Sequence, residues 1–226
     1  MIKKTVKAEG SNESNSIIAE IDLPGECPIC KASIGPIVLY AVTKSKLFET
    51  SKRGIVVICA CPSCADYFVV SYNKNMYSDY MVDSIEPKKP KVQTFDKNLS
   101  KISTAFIEIY NQALAAETYN LYQIAGMGYR KALEFLIKDY AVYLEPTKAE
   151  GIKKSLLNTC IENYIDSPKI KATARISTWL GNDETHYIRK FIDSDINDLK
   201  KFIDTCVYWI LFDYNASVAS EIVDKK

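Results

Sequence analysis

The chain has 226 residues, 47% of them apolar and 25% charged, which is the balance of a folded globular protein and excludes disorder throughout. No run of 18 apolar residues is present, so no membrane span is expected, and Met1–Lys4 is followed by no apolar segment of the kind a secretory signal needs. A formal net charge of +1, with 12 basic against 11 acidic residues over 1–96 and 17 against 17 over 97–226, excludes an extended polycationic face for nucleic acid. These features lead to the expectation of a cytoplasmic protein without membrane partners.

In chain order, residues 1–20 contain the polar stretch Gly10-Ser-Asn-Glu-Ser-Asn-Ser16 and are expected to form a flexible N-terminal arm. Two cysteine pairs follow, Cys27-Pro-Ile-Cys30 and Cys61-Pro-Ser-Cys64. A CxxC turn aims two thiolates at one ion, and two such turns complete a tetrahedral four-thiolate shell. The absence of a secretory signal, the clustering and the odd total of seven cysteines speak against a disulfide framework. The stretches Pro36–Val42, Gly54–Ala60 and Tyr67–Tyr72 are rich in β-branched and aromatic residues and predict three strands. Strand, knuckle and strand predict a small zinc ribbon over residues 21–84, with Cys27, Cys30, Cys61 and Cys64 as ligands of a structural Zn2+. Cys59 reads as core filler near the metal, and Cys160 and Cys206 as small buried hydrophobes.

Pro87 and Pro90 mark a linker over residues 85–97. From residue 98 to 226 the apolar period becomes helical. Leu99, Ile102, Phe106, Ile109, Tyr110 and Ala113 define a first helix to about Glu117. A second runs from about Leu121 to Tyr143, a third over Ile152–Tyr164 with Leu156 facing inward, and a fourth from Pro168 to about Leu180. The last begins near Asp195, whose carboxylate suits the cap position. The fold class is therefore expected to be α+β, a three-stranded zinc ribbon followed by a five-helix bundle. Gly126 and Gly128 interrupt a helical pattern and are expected to permit close helix packing.

Two patterns in the bundle carry chemistry. Arg130 and Glu134 are spaced i,i+4 on one helix face. Gly181-Asn-Asp-Glu-Thr-His186 holds the only histidine of the chain, with Asn182 and His186 again at i,i+4. We expect Arg130, Glu134, Gly181, Asn182 and His186 to gather at one helix junction, with Gly181 letting the chain turn between helices. No metal-ligating partner and no nucleophile accompany His186.

On the Arg-x-Ala-Leu-Glu helix (Arg130, Ala132, Leu133, Glu134), the Gly-Asn-x-x-x-His segment (Gly181, Asn182, His186), the prolines before the bundle and the paired cysteine knuckles, the chain resembles the bacterial family catalogued as domain of unknown function 4145. That family is similar to the HEPN helical bundles of toxins, restriction systems and antiphage defence. The resemblance implies a HEPN-like bundle able to form a homodimer. Active HEPN ribonucleases carry Arg-polar-x-x-x-His and need no metal, which maps the polar residue to Asn182 and the histidine to His186. The arginine position falls on Gly181, and Arg130 or Arg175 would have to replace it. The function expected is thus a non-catalytic module that binds a protein or nucleic acid in a defence or regulatory system. The alternative is a metal-independent ribonuclease using His186, Asn182 and Arg130.

Overall fold

Residues 2–10, 15–45, 54–75, 77, 79–90, 92–183, 187, 190, 191 and 193–224 are described by a computed structural model of the chain. The chain divides into two units, 1–89 and 90–226, each with its own apolar core.

The first unit is built from six strands: β1 (Ile2–Ala8), β2 (Ile17–Leu23), β3 (Ile37–Thr43), β4 (Gly54–Ala60), β5 (Tyr67–Lys74) and β6 (Tyr80–Glu86). β1 and β2 form an antiparallel pair, and β3-β4-β5-β6 form an antiparallel sheet in that order. Alternation decides which side chains face inward. Val6 and Ala8 on β1, Ala19, Ile21 and Leu23 on β2, Ile55, Val57 and Cys59 on β4, and Phe68, Val70 and Tyr72 on β5 are all buried in one core. The Tyr72 hydroxyl satisfies itself inside that core by donating to the Asp22 carbonyl at 3.0 Å.

This corrects the expected three-stranded ribbon: two sheets of two and four strands take its place. The supposed flexible arm over 1–20 holds β1 and the first part of β2, paired from Ile2↔Leu23 to Ala8↔Ile17. The lysines of β1 conceal its inward Val6 and Ala8, and the polar stretch that suggested an arm is the connection between the two strands. β6 extends into the region expected to be linker, because its edge position leaves a weak apolar signal.

The second unit is helical: α1 (Leu99–Ile102), α2 (Thr104–Thr118), α3 (Tyr122–Leu144), α4 (Ala149–Lys154), α5 (Leu157–Tyr164), α6 (Pro168–Asp183) and α7 (Ile196–Asp224), with a 3-10 turn at Pro146–Lys148. Seven helices among the described residues replace the expected five. The first predicted helix is split at Ser103, which is extended; its hydroxyl accepts from the Phe106 N–H at 3.1 Å and starts α2 anew. The third is split at Ser155 and Leu156, both extended, so Leu156 is 79% exposed rather than facing inward.

α3 packs against all the other helices and is buried along Ala125, Tyr129, Ala132, Leu133, Leu136, Ile137 and Tyr140. A Cβ at Gly128 would stand 2.8 Å from the Ala113 Cβ, so α2 and α3 approach each other where the glycine removes bulk. Asp195 Oδ1 accepts from the N–H groups of Asn197 and Asp198 at 2.8 and 3.1 Å, capping α7. No described helix is long and apolar enough to cross a membrane.

Candidate metal centre

The four cysteines lie in two connections of the first unit. Cys27 and Cys30 stand between β2 and β3. Cys61 and Cys64 form the turn of the β4–β5 hairpin, just beyond the pair Ala60↔Tyr67. Both turns have the same internal wiring. The Cys27 N–H donates to the Ala32 carbonyl at 2.9 Å and the Lys31 N–H to the Cys27 carbonyl at 3.0 Å. In the second turn the Cys61 N–H donates to the Asp66 carbonyl at 2.9 Å and the Ala65 N–H to the Cys61 carbonyl at 3.0 Å. The residue after the second cysteine is left-handed in each case, Lys31 with φ 64° and Ala65 with φ 59°.

This wiring aims backbone donors at sulfur. The N–H groups of Ile29 and Cys30 both point at Cys27 Sγ at 3.4 Å. Those of Ser63 and Cys64 point at Cys61 Sγ at 3.3 and 3.4 Å. Such donors stabilise a thiolate over a thiol. The turns face each other so that Cys27 Sγ lies 4.0 Å from Cys64 Sγ and Cys30 Sγ lies 3.8 Å from Cys61 Sγ, and all four sulfurs fall within 4.8 Å of one another. Sulfurs at the corners of a tetrahedron with metal–sulfur bonds of about 2.3 Å are separated by about 3.8 Å. The set therefore fits one tetrahedral ion and could hold a metal.

Electrostatics agree with that use. Burial raises the Cys61 thiol, but the Cys64 and Ser63 N–H groups and the neighbouring sulfurs outweigh it and bring the group down to about 7. At Cys64 the Asp66 backbone lowers the thiol, while burial and the sulfurs of Cys61, Cys30 and Cys27 push it up to about 12. Sulfurs this close repel as thiolates, and a cation among them removes the conflict. Cys59 stays outside the cluster. It lies in β4 opposite Phe68, and burial alone pushes its thiol up to about 11. Cys160 and Cys206 are buried in the helical unit.

The sequence-predicted residues of the bundle are placed as follows. Arg130 on α3 donates from Nε to Asn182 Oδ1 on α6 at 3.0 Å and reaches Glu134 Oε2 at 3.5 Å. Glu134 also pairs with Lys138 at 2.8 Å, a partner one further turn along α3 whose i,i+4 spacing was legible in the sequence. Gly181 lies inside α6, so it does not turn the chain between helices as expected; instead it makes room for the Arg130 stem. Arg175 is held elsewhere, donating from Nε to Glu162 Oε1 at 2.6 Å. His186 lies outside the described residues.

Sequence reasoning did not single out Lys31 and Ala65, whose left-handed backbone closes the knuckles. Nor did it find Glu117, which accepts from the Tyr129 hydroxyl at 2.8 Å and from Lys200 Nζ at 3.0 Å. These contacts link α2, α3 and α7, and no local spacing announces them. Compared with protein-family models, curated proteins and solved structures, the chain matches none of them.

Proposed function

We propose that the first unit is a structural zinc module and that the whole chain is a non-catalytic adaptor, in which this module and a HEPN-like bundle engage a protein or nucleic-acid partner in a bacterial defence or regulatory system. The carrying observation is the four-sulfur cluster. All four tetrahedral positions are supplied by cysteine, which leaves no open position for water or substrate. Zinc, with its preference for thiolates in a closed tetrahedral shell, suits this donor set, and when bound it cross-links the β2–β3 and β4–β5 connections. Cys27, Cys30, Cys61 and Cys64 would hold it, and the four N–H donors would share the thiolate charge.

The bundle supports the non-catalytic reading through Gly181. A glycine stands where an active HEPN ribonuclease has its arginine, and it offers no charge to a scissile phosphate. The test is mass spectrometry of protein and nucleic acid that co-purify with the tagged chain from its native host. A stoichiometric partner released by the Cys61→Ser variant supports the adaptor reading, and a chain that purifies with no partner opposes it.

One observation favours a second reading, a metal-independent ribonuclease. Arg130 lies against Asn182, so an arginine from α3 stands beside the position that the motif gives to its polar residue. RNA cleavage in the presence of a chelator, abolished by His186→Ala with the fold intact, would establish that reading.

A further inference from the structure

The four sulfurs of the cluster are not equivalent. Cys27 and Cys61 are buried, Cys64 is half-buried and Cys30 is exposed. The backbone N–H donors of Ile29 and Cys30 go to Cys27 Sγ, those of Ser63 and Cys64 go to Cys61 Sγ, and none of these goes to Cys30. Hydrogen bonds draw charge off a thiolate and weaken it as a nucleophile, while burial keeps solutes away from it. Cys30 is the ligand that these donors and the protein interior protect least. A reagent arriving from solution meets charge and access together there.

A second sulfur stands ready beside it. Cys61 Sγ lies 3.8 Å from Cys30 Sγ, across the cluster. The two cysteines belong to different connections, Cys30 to the one between β2 and β3 and Cys61 to the one between β4 and β5.

We infer that the metal centre is a peroxide-sensitive switch, in which Cys30 is the sulfur that hydrogen peroxide oxidises and Cys61 resolves it into a disulfide that releases the ion. The inference rests on the zinc reading of the first unit and adds a regulation of that same site. In the first step the Cys30 thiolate attacks one oxygen of the peroxide. The S–O bond forms, the O–O bond breaks, and the departing hydroxide takes a proton and becomes water, which leaves Cys30 as a sulfenic acid. In the second step the Cys61 thiolate attacks the Cys30 sulfur. The S–S bond forms, the S–O bond breaks, and hydroxide again leaves as water after taking a proton. Two thiolates, one peroxide and two protons thus become one disulfide and two waters, with two electrons passing from sulfur to oxygen. Cys27 and Cys64 remain as donors, too few for the closed tetrahedral shell. The new bond joins the two connections that the ion would cross-link, so oxidation replaces the metal with a covalent tie.

The test uses the zinc-loaded full chain and excess hydrogen peroxide. Cys30→Ser removes a ligand together with the reactive sulfur, so the site of attack is read on the wild-type chain. Dimedone trapping and peptide mass spectrometry should find the sulfenic acid at Cys30 before any other cysteine. Peptide mapping without dimedone should find a Cys30–Cys61 bond, and a chromogenic zinc chelator should register one ion released per disulfide. Dithiothreitol with added zinc should restore the loaded protein. Cys59→Ser, which changes a buried thiol outside the cluster, should release zinc at the wild-type rate. First oxidation at Cys27, Cys61 or Cys64, a Cys27–Cys30 bond in place of Cys30–Cys61, or failure to reload after reduction overturns the inference. A chain that binds zinc and keeps it under peroxide overturns the switch alone. A chain that binds no zinc when reconstituted overturns the zinc reading and the switch with it.

Discussion

The stem of Arg130 occupies the space that a side chain on Gly181 would need. A Cβ built on Gly181 would lie 2.6 Å from Arg130 Cδ and 3.0 Å from its Cβ. α3 and α6 therefore meet through an arginine laid over a glycine, with the guanidinium turned to Asn182 and Glu134.

Gly181→Ala should accordingly destabilise the helical unit, although alanine favours a helix interior by about 1 kcal/mol. Overpacking of about 1–3 kcal/mol outweighs that gain. In an Arg130→Ala background the Cδ and Cγ contacts are gone and only the Cβ at 3.0 Å remains, so the same Gly181→Ala change should cost less. Urea denaturation of the four proteins checks the reduction. Equal destabilisation by Gly181→Ala in both backgrounds would contradict the packing described.

Metal analysis should find one zinc per chain. Cys61→Ser should lose it or bind it far more weakly, whereas Cys59→Ser should keep it, because Cys59 lies in the core of β4 outside the four-sulfur cluster. Lowering the pH should release the ion, since protons compete for the thiolates. Equal metal loss from the two variants would assign Cys59 to the shell.

The two units should respond differently to chelation. The helical unit has an apolar core of its own, from Leu99 to Tyr214, and needs no metal to bury it. Removing zinc should unfold the first unit and leave most of the helical circular dichroism. A single cooperative loss of all structure would contradict this.

Asp204 gives a pH signature. Burial raises its carboxyl above the ordinary range, against the Tyr110 hydroxyl at 3.4 Å and Lys200, which lower it. The folded state therefore holds this proton more tightly than the unfolded chain, whose aspartates titrate near about 3.9. The contribution to stability is full below that pH and is lost as pH rises through the raised folded value. Asp204→Asn should lose nothing of this kind, so its stability relative to wild type should climb from about pH 4 toward neutrality. Thermal unfolding across that range measures it; a difference that does not change with pH would contradict the raised carboxyl.

The cysteine spacing made the four-sulfur cluster legible because a tight CxxC turn is local chemistry. The helical stripes of α3 and α7 were legible for the same reason, since a 3.6-residue period survives whatever packs against it. Strands at the margins of the first unit were not. β1 presents Lys3, Lys4 and Lys7 among its seven residues, and only the burial of Val6 and Ala8 in the core shared with the distant β4 and β5 turns it from an apparent tail into structure. Ser103 and Ser155 broke helices through hydrogen bonds of their own hydroxyls and through extended backbone, which a hydrophobic count does not register. Gly181 was misread because a glycine that ends a helix and one that admits a neighbour look alike until the neighbour is known.

Lys31 and Ala65 each hold a left-handed backbone without being glycine, at a cost of order 1 kcal/mol per residue. Both turns adopt it where the chain comes back to close on the first cysteine, from Cys27 to the Ala32 carbonyl and from Cys61 to the Asp66 carbonyl, so the chain resists the geometry that a bound ion would require. The grip on a bound metal would thus be adjustable from outside the coordination shell. Glycine at either position relaxes the opposition and should tighten binding with every ligand unchanged, while a β-branched residue there should loosen it. Two side chains that never touch the ion would set how much free metal the first unit needs before it folds.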